Sequence, residues 1–101
     1  VEVGRVIDRC RLDGRIEDRE VASLHAEARR VMQSVNVVPL SDTILVRAAE
    51  PMPTRLGTLD AIHLATAIEL VQRLAIPAVL ATHDMRLAQA ARALGIDVCG
   101  V

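Results

Sequence analysis

Thr58-Leu59-Asp60-Ala61-Ile62-His63-Leu64-Ala65-Thr66-Ala67, and then, after one helix length, Ala78-Val79-Leu80-Ala81-Thr82-His83-Asp84, are the two stretches that decide the fold. Each carries a Thr-x-Asp step. The first opens a helix and the second closes an apolar strand. A carboxylate at a helix start and another at a strand end can face each other across a cleft. Pro77 separates helix from strand, because proline cannot continue a helix and restricts the residue before it. Leu59 to about Leu74 therefore reads as one long helix, with Thr58 as its cap and Asp60 in its first turn. Ala78 to Thr82 reads as a strand.

The pattern extends in both directions. After His83-Asp84, Leu87, Ala91 and Leu94 fall on one helical face, Gly95 suits the position just past a helix end, and Ile96 to Val101 reads as a final strand. Before the quoted stretch, Val3, Val6, Ile7 and Cys10 follow the i, i+3, i+4, i+7 rule of a helix that Asp13-Gly14 ends. A second helix runs from about Ile16 to Ser34, with Val21, Leu24, Ala28, Val31 and Met32 as its apolar positions. Glu17, Asp18 and Glu20 crowd its positive end. Val35 to Leu40 is β-branched and apolar and reads as a strand. Ser41 or Asp42 caps a short helix that buries Ile44, Leu45 and Ala48 and stops at Pro51 and Pro53. Thr54 to Gly57 is loop. The order is α-α-β-α-α-β-α-β, which implies an α/β fold with a parallel sheet and right-handed crossovers. In such sheets the functional cleft lies at the carboxyl ends of the strands, where Asp84 sits.

Composition bounds the function. The 101 residues are 51% hydrophobic and contain no Phe, Tyr or Trp. One small domain fits that length. Its core must come from aliphatic side chains and is marginal on its own, which points to a partner surface such as a second copy. The formal net charge of −1 argues against a nucleic-acid binder that works through a basic face alone. The lack of aromatics removes base stacking. Every cation is Arg, as a GC-rich genome would give. Cys10 and Cys99 have no metal spacing and read as reduced core residues of a cytosolic protein. No run is long enough to span a membrane, and no signal peptide is recognisable, so a cytoplasmic location is expected.

The chemistry lies in the acids. Asp60 near a helix N-terminus and Asp84 after a strand repel each other if close, and a hard divalent ion such as Mg²⁺ or Mn²⁺ resolves that conflict with oxygen ligands. Such ions activate water and stabilise displacement at phosphate. Glu2, at the start of the first helix, is the third candidate ligand. The plainer reading is that Asp60 and Asp84 cap their own helices, the commonest use of such residues, and that Glu2 is a solvated terminal residue. A zinc site from Asp60, His63, His83 and Asp84 matches no standard spacing; packed or exposed histidines explain both imidazoles. Thr58 and Thr82 orient the neighbouring carboxylates. Arg55 and Arg86 lie near the two motifs and suit phosphate or solvent alike. A generic phosphate-binding α/β domain would carry a Gly-rich loop after a strand, and none is present.

Leu59-Asp60-Ala61-Ile62-His63-Leu64-Ala65-Thr66-Ala67 and Ala81-Thr82-His83-Asp84-Met85-Arg86-Leu87-Ala88-Gln89-Ala90-Ala91 resemble the C-terminal half of PIN-domain proteins, and among those the VapC-type toxins of bacterial toxin–antitoxin pairs. The resemblance implies a three-layer α/β/α fold and a Mg²⁺- or Mn²⁺-dependent endoribonuclease. Glu2, Asp60 and Asp84 would be its catalytic and metal-holding acids, RNA its substrate, and a cognate antitoxin its protein partner, with a homodimer expected. The family's remaining acid, an Asp ending a central first strand, has no counterpart here. Either the recorded start at Val1 is too late, or the chain is a truncated and catalytically impaired toxin that still binds an antitoxin or dimerises. An uncovered sheet edge is expected where that strand would lie.

Overall fold

A computed structural model describes residues 2–101. The chain divides into two units, Val1–Val37 and Val38–Val101. The first is a helical hairpin. Helix α1 spans Glu2–Leu12 and α2 spans Asp18–Ser34. Gly14, at φ 71°, makes the turn between them. Glu17 and Glu20 form a reciprocal capping box at the start of α2. The expected apolar faces are present but thinly covered within this unit. Ile7 is buried, Val21 and Ala28 are half-buried, and Val3, Val6, Leu24, Val31 and Met32 are exposed.

The second unit contains the quoted stretch. Helix α3 spans Asp42–Ala49 and α4 spans Thr58–Ile68. A π-helical turn, Glu69–Arg73, extends α4 to nearly the length that the sequence suggests. There the Leu74 N–H donates to the Glu69 carbonyl, and Ala75 takes a left-handed φ of 53° to leave the helix. Strand β1 (Val79–Ala81), helix α5 (Met85–Ala93) and strand β2 (Asp97–Cys99) follow. β1 and β2 pair in parallel, Leu80 opposite Val98. The α/β reading with a parallel sheet therefore holds on its small scale, as two strands of three residues. α5 ends in a Schellman motif: the Ile96 N–H donates to the Ala91 carbonyl and the Gly95 N–H to that of Arg92, with Gly95 at φ 76°. This closure drops Ile96 into the core at 2% exposure.

The core of this unit joins Leu64, Ala67 and Ile68 of α4 to Leu87, Ala90 and Ala91 of α5, with Ile96 beneath and Met52, Leu56, Leu80, Leu94 and Val98 around it. Its central contacts are made by alanines, which let backbones approach closely but bury little area each. Ile44 anchors α3 at 2% exposure.

Four expectations need correction. Val35 to Leu40 is extended but is not a strand, since a strand exists only through a ladder and this segment has no paired neighbour among the described residues. The cap of α4 is Gly57, with Thr58 already helical. Leu45 is exposed, because the short α3 buries a single narrow stripe through Ile44. The cysteines are free, but neither is a core residue: Cys10 is half-buried and Cys99 is exposed on a strand whose outer residues face solvent.

Leu64 has no exposed surface. Leu64→Ala is expected to cost about 2–5 kcal/mol, a large share of the roughly 5–15 kcal/mol that a domain ordinarily has. Gly95→Ala, which forces a side chain into left-handed backbone, should cost about 1 kcal/mol. Urea unfolding followed by circular dichroism measures both.

Candidate functional site

Asp60 occupies the third position of α4, after the Gly57 cap. It is half-buried. Its carboxylate folds back toward the helix start, with Oδ2 3.9 Å from where a Cβ on Gly57 would stand. It makes no capping hydrogen bond. Among the described residues it has neither a salt-bridge nor a hydrogen-bond partner. The aligned peptide dipoles of α4 favour its negative charge. The capping reading thus fails at Asp60 as a hydrogen bond, and only the dipole of α4 engages its charge.

Asp84 behaves differently. It is the N-cap of α5, and its Oδ1 accepts the Leu87 N–H at 2.8 Å. Thr82 prepares that geometry, its Oγ1 accepting the Asp84 N–H at 3.0 Å. The Thr82 N–H in turn donates to the Cys99 carbonyl at 3.0 Å and so ties the end of β1 to the end of β2. His83 is held by Nδ1, 2.6 Å from the Gly100 carbonyl. A carbonyl only accepts, so Nδ1 carries the proton and Nε2 is left unprotonated in the neutral ring. Gly100, at φ 98°, passes so close that a Cβ there would stand 2.6 Å from the Thr82 carbonyl oxygen. A backbone clasp of Thr82, His83, Cys99 and Gly100 therefore fixes where Asp84 begins its helix.

A cleft of about 410 Å³ opens between α4 and β1. Asp60, His63, Thr66 and Thr82 give it a polar end, and Ala67, Leu70, Leu80, Leu87 and Ile96 give it an apolar floor. Asp84 lies two residues beyond Thr82 and is exposed, outside the cleft lining. The cleft runs along the whole of β1, from Ala78 to Thr82, so the expected site at the carboxyl end of the sheet, with Asp84 in it, is not what this cleft alone provides. Arg86 and Arg55 form none of the salt bridges found here. The loop carrying Arg55 is pinned to α5 by the Thr54 hydroxyl, which donates to the Arg86 carbonyl at 2.9 Å.

Glu2 lies in the first turn of α1, in the other unit, and is exposed. Among the described residues no three His, Cys, Asp or Glu side chains gather into a group that could hold a metal ion. The zinc quartet of Asp60, His63, His83 and Asp84 is thereby not assembled, and His83 spends Nδ1 on the Gly100 carbonyl. The donor set does not fit a complete divalent-ion site as it stands. Sequence reasoning missed two features of this site. One is Gly57, which takes the cap position of α4 beside the Asp60 carboxylate. The other is Gly100, whose signal was only a glycine after a strand.

The two acids differ in what a substitution removes. Asp84→Ala removes a cap and should cost about 1 kcal/mol, while Asp84→Asn keeps an acceptor and should cost little. Asp60→Asn gives up only the favourable interaction of its charge with the α4 dipole and should cost about 0.3–1 kcal/mol, with no hydrogen bond lost. Urea midpoints of the three variants measure these costs.

Among the described residues no helix is long and apolar enough to cross a membrane. No curated protein and no solved structure matches the chain. The family model of the PIN domain matches residues 1–93, nearly the whole length and including both Asp segments. The chain belongs to the PIN domain family.

Proposed function

We propose that the chain is a metal-dependent endoribonuclease of the VapC toxin type, cutting RNA phosphodiester bonds and held in check by a cognate antitoxin. PIN domains are generally nucleases and typically use divalent metal ions. The observation that carries the reading is Asp60. It is a half-buried carboxylate with no structural partner, at the positive end of a helix, on the wall of a cleft that runs along β1. The helix dipole favours the charge there, no side-chain partner among the described residues consumes it, and a site for chemistry is a use for the oxygens left free. Asp84 adds a second acid through the oxygen that its cap leaves free. Glu2 is the third proposed acid, and Mg²⁺ or Mn²⁺ the proposed ion.

A second reading is favoured by a specific observation: within the larger unit Asp60 and Asp84 belong to no three-ligand group of His, Cys, Asp or Glu. On that reading the chain binds its antitoxin and does not cleave RNA.

Incubating the chain with structured and single-stranded RNA, in Mg²⁺ and then in chelator, separates the two. The nuclease reading expects cleavage in Mg²⁺ that chelation stops. It also expects Asp60→Asn and Asp84→Asn to lower the rate by about 10–100-fold or more, ligands mattering at least as much as the groups that orient them. Glu2→Gln should act in the same direction. RNA left intact in Mg²⁺ and Mn²⁺ by a folded chain would sink it in favour of a binding role.

A further inference from the structure

The loop between α3 and α4 alternates in burial. Met52, Thr54 and Leu56 are half-buried, while Pro51, Pro53, Arg55 and Gly57 are exposed. Met52 and Leu56 pack against the core of the larger unit. Between them the Thr54 hydroxyl donates to the Arg86 carbonyl at 2.9 Å. Three anchors therefore face inward, and Pro51 and Pro53 narrow the backbone further. The same alternation turns Arg55 outward. Arg86 is itself exposed, in the first turn of α5, and the next residue, Leu87, is buried. One hydrogen bond thus brings two exposed arginines from separate elements within one residue of a shared contact.

Neither arginine has a partner within the fold. Elsewhere in this unit Arg47 pairs with Glu50 and reaches the Met52 sulfur, and Arg73 pairs with Glu69. Among the described residues Arg55 and Arg86 join no salt bridge, and their guanidinium groups donate no hydrogen bond. Asp84 lies two residues before Arg86 and Asp60 five residues after Arg55, yet no ion pair forms. The Asp84 carboxylate is turned into α5 to accept the Leu87 N–H. Two unneutralised cations therefore stand just before α4 and at the start of α5, the two helix beginnings that carry Asp60 and Asp84. A guanidinium is a planar fork of donors that matches a phosphate, and an anchored backbone lowers the ordering cost of using it.

We propose that Arg55 and Arg86 hold the RNA backbone at phosphates beside the one that is cut, and so set where a strand lies against Asp60 and Asp84. The inference rests on the nuclease reading for its ligand and names residues that this reading does not use. An acidic protein segment would be drawn to the same cations, but it gives no reason to place them beside the two acids. A phosphodiester strand does, because its cut site is at those acids. Contacts to phosphate carry no base information, so the pair positions a strand without choosing its sequence. Both arginines are engaged equally before and during the reaction, and their loss should raise KM and leave kcat unchanged.

Binding can be read without cleavage, by fluorescence anisotropy of labelled oligouridine and oligoadenosine in chelator over a range of salt. The control is Arg92→Gln, which removes the same charge from an exposed position in the last turn of α5. Arg55→Gln and Arg86→Gln should each weaken binding about tenfold at low salt, alike for the two RNAs. Each should also reduce the slope of log affinity against log salt by about 0.7, and the double variant by about 1.4. Arg92→Gln should leave the slope as it is. Circular dichroism checks that all variants keep their helices. An equal loss of slope in Arg92→Gln overturns the proposal, since net charge alone would then explain it. Undiminished RNA binding by the double variant of a chain that still cleaves overturns it too, and leaves the nuclease reading standing. RNA neither bound nor cut by a folded chain removes both. Polyglutamate that binds as tightly as RNA, and is lost with the same two arginines, would overturn it by assigning the pair to an acidic protein.

Discussion

Close approach of α4 to α5 through alanine is the constraint on which the larger unit rests. Ala67, Ala90 and Ala91 are buried in the core that the two helices share, and among the described residues Leu64 is the one large side chain with no exposure. Small residues let two helices come near enough for Leu64 and Ile68 to reach Leu87 and Ile96. That contact seats the start of α4 beside the end of β1, which is where the cleft opens. The cost is a core that buries little area per residue, with no aromatic ring to enlarge it. The structure offsets this with local devices: a capping box on α2, side-chain caps on α3 and α5, and a Schellman closure after α5. None adds hydrophobic area. Each removes the penalty of an unsatisfied backbone group.

Helices were legible because their signals are local. The period of apolar residues, the Ser41 cap, the Pro77 break and the Gly95 stop each act within one turn. Strand Val79–Ala81 was legible for a related reason, as its apolar run is bounded by Pro77 and by Asp84. Val35 to Leu40 was not, although its composition is as strand-like as any in the chain. A strand is a relation between two segments, and composition records only one of them. Gly57 escaped notice as a cap because Thr58 is the stronger capping residue by type. What decides between adjacent candidates is backbone geometry that a sequence does not display.

The candidate site was half legible. The two Asp segments do lie at a helix start and just past a strand end, and the family model spans both. Sequence could not tell the two acids apart. One engages its helix and the other does not, a difference that lies in a few hydrogen bonds around Thr82 and Gly100. The salt bridges say little in comparison. Among the described residues all five join partners no more than four positions apart, within helices or at their ends, three of them with both side chains largely exposed, and such pairs contribute little.

The double duty of Asp84 has an evolutionary consequence. A lineage that stopped needing catalysis would still need α5 to start where it does. Selection for folding alone would retain Asp84, or accept Asn, Ser or Thr in its place. Asp60 has no such insurance, and drift would erase it first. Among natural variants of this chain, the identity of residue 84 therefore carries little news about whether chemistry persists. Residue 60 is the one to watch.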